Sequence, residues 1–269
     1  GTEIGHIRDV MKKDGAALAN TFYWLEQSLS SGQKINEVDV ARKLAEQRSQ
    51  QKFYQGESFG AIIGYNENGA IIHYHPEPET CKTIKPEGIL LVDSGGQYSD
   101  GTTDITRTFT LSQPTEEQIK AYTLILKGMI ALSMAKFPEG TTGGQLDTLA
   151  RQFLWAEGMN YGHGTGHGVG FFLNVHEPPQ GFTPLSSERS RTVQQPGMLT
   201  SNEPGYYKEG GFGMRIENLI ITVKSEKPGF LEFETVTLYP LEHKLIDKSR
   251  LSKEEIAWIN QYHKLVYAG

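Results

Sequence analysis

The sequence predicts an α+β fold built from two successive halves, each a helical pair followed by strands. Three observations carry that prediction. Apolar residues recur at intervals of three, four or seven over residues 4–29 and again over 115–137, the mark of amphipathic helices. After each helical pair the pattern changes to short β-rich runs bounded by turn residues. The second helical pair begins 111 residues after the first, with no close sequence repeat, so the duplication is one of architecture.

The elements follow in order. The first helix, 4–29, carries Ile4, Ile7, Met11, Leu18, Phe22, Leu25 and Leu29 on one face, and Gly32 stops it. The second, 36–51, takes Asn36 as its cap. Runs at 59–65 and 70–74 flank Asn66-Glu67-Asn68-Gly69 and read as a hairpin. Residues 89–93 form a buried-type strand and 102–110 an alternating one. The third helix, 115–137, opens with the capping box Thr115 and Gln118 and presents Ile119, Tyr122, Leu126, Ile130, Met134 and Phe137. The fourth, 145–157, ends at Gly158. Strands return at 169–175, 197–202, 213–223 and 231–239, and a last helix, 253–267, starts from Ser252 and Glu255. Residues 177–196, rich in proline and serine, form a surface loop within a single domain.

Composition narrows the function. The net charge is −6 at pH 7, which argues against a nucleic-acid binder built on a basic face. No apolar run is long enough for a membrane span. Cys81 is the single cysteine, which excludes an intramolecular disulfide and a cysteine-based zinc cage, and is consistent with a reducing compartment.

Acids then recur at matched offsets. Asp93 ends Ile-Leu-Leu-Val-Asp and Asp104 sits in Thr-Thr-Asp-Ile-Thr; Glu203 and Glu217 follow them by 110 and 113 residues. Singly, each reads as a strand-end carboxylate satisfied by turn amides. Together, on a duplicated fold, the four would meet at the midline. They could not all stay ionised there without cations, and a pair of divalent metals removes the conflict. Tyr161–Gly170 supplies histidines in a run too glycine-rich for a regular helix. The segments 93–104, 162–170 and 203–217 hold one glycine in three residues, against about 8% elsewhere, as close backbone approach to a site requires.

These residues resemble the pita-bread metallopeptidases, the family of methionine aminopeptidase, prolidase and aminopeptidase P. Asp93, Asp104, His167, Glu203 and Glu217 match that family's five metal ligands in order and context. The strings His-Gly-Thr-Gly-His-Gly-Val-Gly, Leu-Asn-Val-His-Glu, Glu-Pro-Gly-Tyr-Tyr and Arg-Ile-Glu-Asn look most like its cytosolic Xaa-Pro aminopeptidase branch. The resemblance covers essentially the whole chain and implies the pita-bread fold, two pseudo-symmetric halves around a curved antiparallel sheet.

It also implies roles. Asp93 would chelate one metal, Asp104 and Glu217 would bridge two, and His167 and Glu203 would complete the other. A hard, oxygen-rich donor set suits Mn²⁺, with Zn²⁺ or Co²⁺ left open by the affinity order. Glu203 would also shuttle a proton to the leaving amine. His73 and His176 match residues that hydrogen-bond substrate or stabilise the tetrahedral intermediate. His163 matches a residue at the pocket for proline. Arg215, with Tyr207 as its neighbour, would orient a carboxylate ligand and wall that pocket. His75 reads as structural or solvent-facing, Arg107 as an ion-pair residue, and Cys81 as a bystander.

The expectation is therefore a cytoplasmic enzyme acting on peptides with proline at position 2, without nucleic acid or membrane, and with a homodimer left open. The chain reads as one catalytic domain, 1–269, excised from a longer protein. A prolidase restricted to dipeptides and a metal-free binding module are the competing readings.

Overall fold

The structure, a computed structural model, describes residues 1–71 and 73–269. The helices form where the apolar stripes fall. α1 (Thr2–Ser30) is followed by α2 (Glu37–Ser49), which Asn36 caps: its side chain accepts the Asp39 N–H while the Asp39 carboxylate accepts the Asn36 N–H. α3 (Glu116–Ser133) and α4 (Gly143–Trp155) form the second pair, and α5 (Lys253–Ala268) starts from the Ser252/Glu255 capping box. Among the described residues no helix is long and apolar enough to cross a membrane.

Each helical pair covers a sheet, and the two halves share one plan. In the first, Ile89–Ser94 lies antiparallel between Ile62–Tyr65 and Ile105–Thr110. In the second, Asn218–Lys224 lies between Leu199–Asn202 and Phe230–Thr235. Between its paired strands each half inserts a hairpin: Gly96–Tyr98 with Gly101–Thr102, and Gly205–Lys208 with Phe212–Arg215. The order of parts is thus strand, acid, hairpin, acid, strand, twice over. An antiparallel bridge between Thr106 and Glu217 joins the halves at the midline.

Burial explains the layers. Leu18, Leu25, Val40 and Leu44 of α1 and α2 pack on Ile63, Leu90, Val92 and Ile105. Leu132, Leu146 and Ala150 of α3 and α4 pack with Phe182, Ile220 and Leu231. Each large apolar side chain so buried contributes about 1.5–3 kcal/mol, which fixes the two sheets beside which the acids sit.

The structure corrects several local expectations. No hairpin links 59–65 to 70–74: Asn66–Ala70 is a 3₁₀ turn, and no strand follows it among the described residues, Ile72 lying outside them. The turn residues have found tertiary partners instead. Asn66 Oδ1 accepts the Ile89 N–H, Asn68 donates to the buried Glu37, and Gly69 packs backbone to backbone on Gly213, where a Cβ would come within 1.8 Å of the Gly69 oxygen. The strand expected at 169–175 is absent; Val169 N–H donates to Leu199 C=O and the chain then turns away. The runs 102–110 and 213–223 are each interrupted beside an acid, at Thr103-Asp104 and at Ile216, where Glu217 keeps only its bridge to Thr106. α3 stops at Ser133, leaving Met134 exposed and Phe137 in a two-residue strand against Leu231. Tyr54–Glu57 is a strand that the sequence did not announce.

Arg107 is not an ion-pair residue. Its buried guanidinium donates to the carbonyls of Thr106, Glu217, Tyr239 and Pro240, to Asn218 Oδ1 and to the Tyr262 hydroxyl. It stitches the first half to the second through neutral acceptors.

Candidate metal centre

Asp93 and Asp104 come from the strand–hairpin–strand unit of the first half, and Glu203 and Glu217 from its counterpart in the second. His167 enters from the glycine-rich segment, whose Gly166–His167 pairs with Gly181–Phe182. All five line one cavity of about 560 Å³. A larger one, about 800 Å³, lies between α1 and the end of α5 and holds none of them.

Ligand atoms of Asp104, His167 and Glu217 lie within 4.8 Å of one another. His167 Nε2 stands 3.2 Å from Asp104 Oδ2 and 3.2 Å from Glu203 Oε1. The other ring nitrogen, Nδ1, bonds the Gly168 carbonyl at 2.9 Å, which orients the ring and leaves Nε2 for a proton or a cation. Ser201 Oγ donates to Glu203 Oε1 at 2.8 Å, and Thr106 Oγ1 to Glu217 Oε2 at 2.7 Å. Arg215 Nη2 donates to Asp93 Oδ2 at 2.7 Å.

One oxygen on each of three carboxylates is left over. Asp93 Oδ1, Asp104 Oδ1 and Glu217 Oε1 are buried and have no hydrogen-bond partner. Orphaned carboxylate oxygens are costly in a protein interior. Bordering one cavity together with His167, they fit divalent cations that prefer oxygen donors.

The electrostatics carry the same strain. Burial, together with the charges of Asp93 and Glu203, pushes Asp104 up to about 7 against the pull of His167. Burial and the neighbouring acids raise Glu217 well above the carboxylate range. Burial opposes the charge of Glu203, but His167, His163 and Arg215 hold it down at about 2. His167 is raised, its bonds to Asp104 and Glu203 overcoming its burial.

A second cluster flanks the first. His163 Nδ1 bonds the Gly164 carbonyl at 2.8 Å, so Nε2 accepts from the Tyr207 hydroxyl at 2.7 Å. That hydroxyl accepts in turn from Arg215 Nη1 at 2.7 Å. Burial keeps His163 below its ordinary value, toward the neutral ring. His176 packs edge-on against His167, with ring centroids 4.2 Å apart, and is exposed toward the cavity. His73 also lines the cavity, its backbone in the left-handed region, φ 59°.

All ten residues singled out in the sequence therefore border this cavity. His75, read as structural or solvent-facing, also lines it, while Cys81 does not. Several residues were missed. Thr106 lies one strand alternation beyond Asp104, a signal that was there to read. Ser201 precedes Glu203 by two in the same way. Arg189, from the loop, brings a cation to the wall, and nothing in its sequence context announces it.

Comparison with known proteins agrees with this geometry. Residues 5–224 match metallopeptidase family M24, and 229–269 match the C-terminal region of peptidase M24. The chain is 51% identical over 274 residues to a probable Xaa-Pro aminopeptidase P of Tuber melanosporum, covering 99% of this chain and 43% of that protein. It superposes on an X-prolyl aminopeptidase of Caenorhabditis elegans, described as a cytosolic enzyme with a di-nuclear active site, with a TM-score of 0.93 and 40% identity over 98% of this chain and 43% of the other. An Xaa-Pro dipeptidase of Bacillus anthracis gives a TM-score of 0.76 and 27% identity over 90% of this chain and 62% of that one. The chain thus spans less than half the length of the curated relatives it matches. The fold is the pita-bread fold that the resemblance implied, and the chain belongs to metallopeptidase family M24.

Proposed function

We propose that this chain is the catalytic domain of a dinuclear-metal Xaa-Pro aminopeptidase, removing the first residue from peptides with proline at position 2. One observation carries the reading: three buried carboxylate oxygens, Asp93 Oδ1, Asp104 Oδ1 and Glu217 Oε1, have no partner of their own beside a cavity that His167 also lines. Bound there and at Glu203, two divalent cations, Mn²⁺ by the hardness of the donors, would supply a polarised scissile carbonyl and an acidified water.

The chain's own groups do the rest. Glu203 Oε1 is held by Ser201, so Oε2 is the oxygen that takes a proton and hands it to the leaving proline nitrogen. His176 and His73 both line the cavity and donate to the carbonyl oxygen as charge develops on it. Tyr207 and Arg215 fix the neutral His163 ring, which with them walls a slot for the proline ring, where no backbone N–H need be met. The C. elegans enzyme supports a cytosolic setting.

Arg189 favours a second reading. A guanidinium on the cavity wall can pair with the free carboxylate of a dipeptide, as a dipeptidase requires. The test compares Xaa-Pro-Xaa peptides with Xaa-Pro dipeptides on the Mn²⁺-loaded intact protein. Hydrolysis of the longer peptides is expected. Turnover of dipeptides alone would transfer the chain to the dipeptidases. Absence of both hydrolysis and bound cation would leave a binding module.

A further inference from the structure

The stretch that carries His163 and His167 has no helix to set its path, and its only regular structure is the two-residue strand Gly166–His167. A buried ion pair on α4 holds it instead. Arg151 Nε donates to Asp147 Oδ2 at 2.7 Å and Nη2 to Oδ1 at 3.1 Å, with the side chains 5% and 3% exposed. Apart from a long bond from Arg151 Nη1 to Asn160 Oδ1 at 3.5 Å, the remaining bonds of the pair go to alternate residues of the loop. Arg151 Nη1 donates to the Tyr161 carbonyl at 2.8 Å and Nη2 to the His163 carbonyl at 2.7 Å. Asp147 Oδ1 accepts the Thr165 hydroxyl at 2.7 Å and the Thr165 N–H at 3.3 Å. The guanidinium also lies 4.1 Å from the Tyr161 ring centroid.

The geometry points to Arg151, braced by Asp147, as the positioning residue for His163. It touches neither the cavity nor any ligand atom, yet it fixes the backbone from which the His163 ring reaches Tyr207. The task suits a guanidinium. Two carbonyls two residues apart and one carboxylate must be met at once by a planar fork of donors, which an ammonium cannot reproduce. His167 has separate anchors, since its N–H donates to Ser201 Oγ at 2.9 Å and its Nδ1 bonds Gly168. On the cation side the Thr165 carbonyl accepts the Glu203 N–H at 2.7 Å, but Thr165 is held by Asp147, so loss of Arg151 falls first on the substrate side of the site. This inference rests on the reading of the cavity as an Xaa-Pro site.

The test takes Arg151→Met and Arg151→Lys in the intact protein, with three readouts. For Arg151→Met, KM for an Xaa-Pro-Xaa peptide should rise about tenfold while kcat and Mn²⁺ affinity each stay within about threefold, the split that separates positioning of substrate from loss of chemistry. Amide exchange should accelerate over 161–167 and not in α3. Arg151→Lys should fall between the two. Unchanged KM with unchanged exchange would overturn the inference. So would a proportional fall of kcat and Mn²⁺ affinity, the pattern of a merely structural pair; thermal stability falls in either case, because Asp147 loses its buried partner. If Arg151→Met does not fold, Arg151→Lys decides: a raised KM supports the inference and a wild-type KM overturns it. If the wild-type protein cleaves no Xaa-Pro peptide, the functional reading falls, and exchange over 161–167 still decides the positioning role.

Discussion

Arg215 and Asp93, from opposite halves of the fold, are joined by a 2.7 Å bond from Nη2 to Oδ2. The same guanidinium serves Tyr207 through Nη1 and Thr106 Oγ1 through Nε at 3.2 Å. One planar group thus ties a candidate ligand, the proposed proline wall and the midline bridge together, and leaves Asp93 Oδ1 without a partner.

Arg215→Lys keeps a charge but cannot serve three acceptors in fixed directions. Groups that orient a metal ligand typically cost about 10–100-fold in affinity when lost. Calorimetric titration with Mn²⁺ should therefore show at least one cation bound more weakly by about that factor. Wild-type affinity for both would refute the assignment of Asp93 as a ligand steered by Arg215.

The acid cluster makes cation binding pH-dependent. Asp104, pushed up to about 7, is protonated in part near neutrality in the protein alone, and burial with the neighbouring acids shifts Glu217 in the same direction. A group whose folded pKa lies above its unfolded value stabilises the fold below the unfolded value and loses that contribution as pH rises through the folded one. His167, also raised, has the same sign. Chelator-treated protein should lose stability as pH climbs from about 4 through about 7. Cations need the deprotonated acids, so their binding expels protons and tightens over the same rise. Mn²⁺ titrations at about pH 6 and about pH 8, each in two buffers of different ionisation enthalpy, read both effects. Equal affinities with no buffer dependence would contradict them.

The helices were legible because their signals are local. Asn36, Thr115 and Ser252 cap helices within three residues of themselves. The acids were legible because duplication repeats them at similar offsets. What escaped depends on contacts between distant segments. The 66–70 turn is shaped by Gly213, and residues 168–169 by Thr200 and Leu199, none of which a local window contains. Thr106 meets Glu217 only because the two halves join there. Arg189 reaches the cavity from a loop, where no period places a side chain.

Tyr207 offers a cleaner probe of the proline wall than the histidine it touches. Its hydroxyl is the one link between His163 and Arg215, at 2.7 Å to each. Tyr207→Phe keeps the ring and deletes that link. A bond to a charged partner contributes about 1.5–3 kcal/mol, so KM for Xaa-Pro-Xaa peptides should rise about tenfold or more with kcat little changed. A drop in kcat at constant KM would move Tyr207 from the wall to the chemistry.

A large stability effect should also come from a site with no part in catalysis. Arg48 is fully buried and donates to both oxygens of Asp14, to Glu57 and to Ser94 Oγ, tying α1 and α2 to the strand that ends beside Asp93. Arg48→Met leaves Asp14, itself 5% exposed, charged and unpaired in the interior. Breaking a buried pair in this way costs about 3–5 kcal/mol, whereas replacing both members with apolar groups is often near neutral. Denaturant midpoints should therefore fall sharply for Arg48→Met and recover by more than half in Asp14→Leu/Arg48→Met. Incomplete recovery is expected, because Tyr98 loses Asp14 as the acceptor of its hydroxyl at 2.9 Å. A single-variant loss under about 1 kcal/mol, the range of exposed pairs, would mean that water reaches Asp14 once the arginine is gone.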